Sequence, residues 1–415
     1  MLGINEERFL GDLKALWQIG ATVDGGVTRR AFSAEDVLGR QWFEQRVRDA
    51  GLQFYKDGAA NLFAILPSQS NPNGPTLLCG SHLDTVPNGG RYDGSLGTLC
   101  ALEALRTIQE AGIDLPFNLS AVSFTDEEGS LHGLFGSQAL AGIMTSESLT
   151  TGRGSGEGAL AEGLARLGIS AETTLAARQA PENFTAYVEV HIEQGTRLEK
   201  SNTDIGVVTG IVGIRSAMLT FTGEAAHAGA KPMNERRDAL WGAASFLLKA
   251  RELVQARFHP GVCNFGQISA EPNAFNIVPE RVQLALEFRH GTEQLLDDMQ
   301  TVLFELARGV SADFDLTLDI EEFEGCDAAP SAEIILQAIE TVCDNNGLSH
   351  KRMMSFAGHD AQSMAKITPS AMIFVPSVGG VSHRHNELTK DADCVNGANA
   401  LLHTLLTLMK HESTR

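Results

Sequence analysis

At 415 residues the chain exceeds what one hydrophobic core comfortably serves, so two domains are expected. Hydrophobic residues make up 43% and charged residues 20%, an ordinary soluble balance, and the formal net charge of -20 argues against a nucleic-acid partner. No stretch approaches the roughly 18 unbroken apolar residues of a membrane span. The start of the chain lacks a basic and apolar leader, and the six cysteines are scattered without a CxxC pair, which predicts reduced thiols and a cytoplasmic setting with no membrane.

Residues 5–18 and 33–50 are expected as amphipathic helices, the second with Ser33 as N-cap, acids in its first turn and Gly51 just past its end. Residues 52–55 and 61–66 read as a strand meander, and 76–79 as a buried strand bounded by Pro75 and Gly80. A helix is expected over 98–111 and a strand over 118–124. Residues 145–183, rich in Gly, Ser, Thr and Ala, read as a helical excursion over the surface, and 186–192 as a strand. Strand–helix alternation of this kind predicts an α/β core with a mainly parallel sheet.

After Asn202 the pattern changes. Strand 215–222, helix 237–258, strands 262–269 and 281–290, helix 293–310 and strand 315–322 spell β-α-β-β-α-β, the ferredoxin-like order. Core-type elements then resume with helices over 332–346, near 359–365 and over 395–409, and a strand over 371–375. The smaller domain is therefore read as an insertion, 210–325, within a discontinuous catalytic domain of 1–209 and 326–415. Hinges are expected near 205–214 and 323–329, both rich in Gly or small residues.

The chemistry concentrates at predicted strand ends. Gly80–Gly97 carries His82, Asp84 and Asp93 in a glycine-rich loop, so the backbone can return the second carboxylate to the imidazole while Asp84 orients the ring. Thr125-Asp-Glu-Glu-Gly-Ser130 adds Glu127 and Glu128, the strand ending at Ile192 adds His191, and Gly380-Val-Ser-His-Arg-His-Asn-Glu387 adds His383 and His385. Histidines with carboxylates suit zinc or a similar borderline cation. The ligand count exceeds what one open catalytic zinc needs and favours two ions sharing a carboxylate. Adjacent glutamates divide naturally, one binding metal and the next facing water as a base for hydrolysis. Either His383 or His385 suits the last ligand position on these grounds.

Gly80-Ser-His-Leu-Asp-Thr-Val86 with Asn88-Gly-Gly90 and Asp93-Gly94, Thr125-Asp-Glu-Glu-Gly129, His191-Ile-Glu-Gln-Gly195, Ala226-His-Ala-Gly229 with Pro232-Met233, and Ser382-His383 together resemble the dinuclear-metal amidase and peptidase family that includes aminoacylases and carboxypeptidase G-type enzymes. Within it, the Asn88-Gly-Gly90 and His191–Gly195 forms are similar to the branch of N-carbamoyl-L-amino-acid amidohydrolases, β-ureidopropionases and allantoate amidohydrolases. The resemblance spans about residues 80–387 in the family's order. It implies that His82, Asp93 and His191 hold one divalent ion and Asp93, Glu128 and His383 the other, with Asp93 bridging and Asp84 supporting His82. His383 is implied over His385 because it directly follows the serine. Glu127 is implied as the base that takes a proton from water and passes it to the leaving nitrogen.

The inserted domain is implied to be a lid and homodimerisation surface, with His227 reaching the partner subunit's site as an oxyanion donor. Asn276 and Arg289 are implied to bind a substrate carboxylate, for which a guanidinium fork is suited. Gln194, Gly358 and His359 are further substrate-pocket candidates. Glu287 stands where relatives often carry Asp, and His132 is assigned no role. The implied reaction is hydrolysis of the ureido C–N bond of a small N-carbamoyl-L-amino acid to amino acid, ammonia and carbon dioxide. Zn2+ is the first choice of metal, and Mn2+, Co2+ and Ni2+ accept the same ligands. The enzymatic alternatives are allantoate amidohydrolase and a peptidase or acylamino-acid hydrolase. A binding protein that has lost catalysis is disfavoured by the presence of Glu127 with every ligand.

Overall fold

The computed structural model describes residues 2–149 and 158–412, which form two compact units. One runs up to Gly210 and resumes at Ser331; the other is Ile211–Pro330. No helix among the described residues is long and apolar enough to cross a membrane.

The first unit is built on a mixed sheet whose middle is parallel. Along it lie Gln53–Lys56, Leu62–Leu66, Asn118–Phe124, Thr76–His82, Phe184–Ile192, Ser370–Val375 and Ile205–Ile211, with His350–Ser355 pairing onto the last. The four middle strands, Asn118–Phe124 to Ser370–Val375, run parallel, and antiparallel strands flank them. The middle strands are covered on both faces, so their residues are almost all buried and read as apolar runs rather than as alternation. Helix Ser95–Glu110 packs against Thr76–His82 and is itself covered by helix Asp391–Glu412. That is why its buried residues run almost continuously from Ser95 to Ile108 instead of forming one stripe.

Most elements agree with the sequence reading to within a few residues, including the Ser33 cap, whose side chain accepts the Asp36 N–H. Strand Thr76–His82 continues past the expected end, carrying His82 to its last position. The expected excursion over 145–183 contains helices Ala159–Arg166 and Ala171–Ala176; its part at 150–157 lies outside the described residues. Residues 205–211, the first part of the hinge expected near 205–214, are a buried strand of the sheet, and the boundary between the two units falls at its end, between Gly210 and Ile211. Gly206 is small there for packing: a Cβ on it would come within 2.6 Å of Met353 Sδ and 2.9 Å of Phe374 Cβ. Strand His350–Ser355 was not anticipated, and the strand expected from 315 begins at Thr317, because Asp315 (φ 52°) turns the chain out of the preceding helix.

The second unit is a four-stranded antiparallel sheet, ordered Thr317–Cys326, Gly213–Thr222, Arg281–His290 and Val262–Glu271. Helices Ala239–Arg257 and Glu293–Asp313 pack on it around a separate core. Arg281–His290 alternates, sending Val282, Leu284, Leu286 and Phe288 inward. Val262–Glu271 is an edge strand exposed along most of its length.

Candidate metal centre

The four parallel strands end on one edge of the sheet, where open α/β folds gather their ligands. His82 is the last residue of its strand and His191 lies one before the end of the neighbouring strand. Glu127 and Glu128 sit in the turn after Phe124, and His383 in the loop after Val375. Asp93 comes back to this edge from the loop after His82. Gly94 makes that return possible: it adopts φ 61°, and a Cβ on it would lie 2.3 Å from the His82 ring.

Asp93 stands between two sets of side chains. Its Oδ1 is 3.1 Å from His191 Nε2 and 3.6 Å from His82 Nε2. Its Oδ2 is 3.5 Å from His383 Nε2, which in turn lies 3.4 Å from Glu128 Oε2. His82, Asp93 and His191 form one group, and Asp93, Glu128 and His383 another, each with ligand atoms within 4.8 Å of one another. His385 belongs to neither group.

Both buried imidazoles are oriented by main-chain oxygens. His82 Nδ1 lies 3.0 Å from the Asp84 carbonyl and His191 Nδ1 2.9 Å from the Ile192 carbonyl. A carbonyl only accepts, so each Nδ1 carries the proton and each Nε2, the lone-pair nitrogen of the neutral ring, turns towards Asp93. The Asp84 carboxylate was expected to steady His82. Instead it lies 3.8 Å from the ring and accepts the N–H groups of Glu127 (3.4 Å) and Glu128 (3.2 Å).

The electrostatics fit a multiply charged cation. Burial acts to lower the His82 imidazolium, but Glu127, Asp93, Asp84 and Glu128 outweigh it and hold its pKa well above the usual range. Burial pushes the Glu127 and Glu128 carboxyls well up, reinforced by neighbouring carboxylates and opposed by His82. For Asp93 burial is outweighed by His191 and His82, which keep it well below the ordinary value. His82 Nε2 and Glu128 Oε1 are buried with no hydrogen-bond partner. Buried orphan atoms of this kind are costly unless something binds them, and a cation satisfies both. Glu127 belongs to neither ligand group, its Oε2 lying 3.4 Å from His82 Nε2.

Residues 78–407 match the family described as Peptidase family M20/M25/M40. The chain belongs to this peptidase family. It is 36% identical to an N-carbamoyl-L-amino acid amidohydrolase of Geobacillus stearothermophilus, over 99% of this chain and 100% of that protein. It is 34% identical to the allantoate amidohydrolase of Bacillus subtilis over 95% of each. The crystal structure of an amidase of the hydantoinase/carbamoylase family from Burkholderia multivorans superposes with a TM-score of 0.90 at 32% identity, covering 98% of each chain. The chain is accordingly a hydrolase acting on amides, in a metal-dependent family, and it carries candidate metal-binding groups.

In this member of the M20/M25/M40 family the remaining candidates fall in both units. Gln194, held at φ 56°, donates Nε2 to Asp93 Oδ2 (2.9 Å) and Ser382 Oγ (3.1 Å), and its Oε1 is buried without a partner. His359 is buried with its ring edge-on to His191, and its Nε2 pairs with Ser355 Oγ at 2.9 Å. Burial, then the neighbouring His191, keeps its pKa well down. Gly358 directly precedes it. In the second unit His227 is exposed on strand Ala226–His227, opposite Ile277, and the Asn276 carbonyl accepts the Ala228 N–H. Arg289 donates Nε to Glu287 at 2.9 Å, so Glu287 engages its guanidinium.

Among the buried acids that the sequence reading does not mark, two adjoin the ligand groups through hydrogen bonds or shared atoms. Glu189 accepts from Ser81 Oγ (2.7 Å), Tyr187 Oη (3.1 Å) and the Ala361 N–H (3.0 Å). It lies near His191 and His359 in a third group of possible ligands, but its oxygens are already engaged by donors. A lone glutamate inside the apolar run Tyr187–Ile192 was the available signal. Glu387, within a quoted motif but without a role, is also buried beside Asp93.

Proposed function

We propose that this chain hydrolyses the ureido C–N bond of N-carbamoyl-L-amino acids, yielding amino acid, ammonia and carbon dioxide. The observation that carries the reading is Asp93, whose two oxygens face two separate ligand groups with Glu127 beside them and outside both. His82, Asp93 and His191 hold one divalent ion and Asp93, Glu128 and His383 a second, Zn2+ first, with Mn2+, Co2+ and Ni2+ as alternatives. When bound, such ions polarise a ureido carbonyl and acidify water. Glu127 takes the proton of the attacking water and returns it to the departing nitrogen. Its burial among carboxylates, which raises its proton affinity, supports that task. Gln194 Oε1, lacking a partner, accepts from the ureido N–H groups.

The second unit acts as a ferredoxin-like lid and dimerisation domain. Its sheet order, fourth, first, third, second along the chain, supports the first part of that reading. The second part is supported by apolar groups left uncovered on edge strand Val262–Glu271 (Val262, Ile268) and on one face of helix Ala239–Arg257 (Trp241, Leu248). Arg289 and Asn276 grip the substrate carboxylate, and His227 donates to the oxyanion in the partner subunit's site. The six free cysteines support a reducing, cytoplasmic setting.

The substrate class follows from the similarity to the Geobacillus enzyme along the whole chain. A panel of N-carbamoyl-L-amino acids, N-carbamoyl amines lacking the carboxylate, allantoate and dipeptides, assayed for ammonia and amine release in metal-loaded protein, tests it. Turnover of the carboxylated carbamoyl compounds above all others is expected. Preference for allantoate or dipeptides overturns the substrate, and indifference to the carboxylate overturns the role of Arg289.

A further inference from the structure

Asp93 is gripped from behind as well as from the ligand side. The Glu387 carboxylate is 3% exposed. Its Oε1 accepts two successive main-chain N–H groups, Tyr92 at 2.9 Å and Asp93 at 3.1 Å. Its Oε2 accepts the Ser382 hydroxyl at 3.2 Å, and the same hydroxyl lies 2.9 Å from Asp93 Oδ2. The loop around Asp93 and the loop bearing His383 are therefore joined through one carboxylate, at the main chain of one and the side chain of the other.

The pocket for that carboxylate is built into the sequence. A Cβ on Gly90 would fall 1.9 Å from the Glu387 carboxyl group, so any other residue there would push it away from the Asp93 loop. A fully buried acid without a cationic partner is unfavourable unless donors surround it, and here two N–H groups and a hydroxyl do so. Among the described residues no cation pairs with Glu387, so ion pairing does not explain its place.

We propose that Glu387 is a positioning residue of the metal centre: by holding the Asp93 main chain and Ser382 together, it sets the Asp93 carboxylate midway between the two ligand groups. The inference rests on the dinuclear reading above. Without the carboxylate, two N–H groups lose their acceptor and the Asp93 loop is free to move relative to His383. Losses at residues that support metal ligands run about 10–100-fold in affinity.

The test is titration of metal-stripped protein with Zn2+ or Mn2+ alone, read as affinity and stoichiometry, alongside thermal unfolding of the metal-free forms. Glu387→Ala is expected to bind about 10–100-fold more weakly. Glu387→Gln, which keeps an oxygen facing the Tyr92 and Asp93 N–H groups, is expected to recover most of that loss. If Glu387→Ala does not fold, Ser382→Ala serves instead: it deletes the hydroxyl that links Glu387 to Asp93, and because that hydroxyl also accepts Gln194 Nε2, Gln194→Ala is measured beside it, a several-fold loss of affinity being expected for Ser382→Ala beyond that of Gln194→Ala. Folded Glu387→Ala with wild-type affinity and stoichiometry, or Ser382→Ala binding no more weakly than Gln194→Ala, overturns the proposal. Wild-type protein that binds no metal would instead overturn the dinuclear reading beneath it.

Discussion

His82 Nδ1 lies 3.0 Å from the main-chain oxygen of Asp84, while the Asp84 carboxylate, 3.8 Å from that nitrogen, receives the N–H groups of Glu127 and Glu128. The acid thus anchors the glutamate turn through hydrogen bonds and acts on the imidazole through its charge. Substituting Asp84→Asn keeps the carbonyl that orients His82 but presents an NH2 group to one of two buried N–H donors. An unmet donor of this kind costs about 1–3 kcal/mol, so kcat should fall by roughly one to two orders of magnitude with little change in metal affinity. Loss of metal affinity at unchanged glutamate geometry would return Asp84 to the role of ring support.

Glu127 lies outside both ligand groups, so Glu127→Gln should load metal as the wild type does. A positioned base contributes about 10^2–10^4-fold, and turnover should drop by that factor. Metal content by elemental analysis and steady-state kinetics on the same sample check both halves. Near-wild-type turnover would reassign the base.

Metal uptake should expel protons. In the metal-free chain His82 and His191 have pKa values raised above their ordinary 6.5, and Glu127 and Glu128 are raised as well. At and below pH 6.5 the two imidazoles, whose pKa values lie above that, therefore hold protons that a cation must displace. Raised pKa values mean that protons compete more strongly as pH falls, so affinity should weaken on going from pH 8 towards pH 6. Calorimetric titration in buffers of different ionisation heat should give different observed enthalpies, with the slope reporting release. Equal heats in every buffer would contradict this.

If His227 serves the partner subunit's site, each site needs Glu127 from one chain and His227 from the other. Mixing inactive Glu127→Gln and His227→Ala proteins under subunit exchange should then restore part of the activity. Absence of recovery in verified heterodimers would confine His227 to its own subunit or remove it from catalysis.

The side chains of the two candidate ligand groups were legible in the sequence because they lie at or beyond the ends of strands with unmistakable apolar runs, and parallel strands all end on one edge. Their supports were not. Nothing in Leu83-Asp84-Thr85 tells which oxygen of Asp84 faces His82, since carbonyl and carboxylate differ only in where the turn points them. Within the hinge expected near 205–214, composition alone cannot separate a glycine kept for freedom from Gly206, kept for closeness to Met353 and Phe374. Glu387 was hidden by distance, since its partners Tyr92 and Asp93 lie on a loop far earlier in the chain.

The central claim is that Asp93 bridges two cations, and anomalous diffraction from crystals of the metal-loaded protein tests it most directly. Data across the edge of the bound metal should give two peaks, each contacting one Asp93 oxygen, one flanked by His82 and His191 and the other by Glu128 and His383. A single peak, or two peaks with Asp93 touching neither, would contradict it.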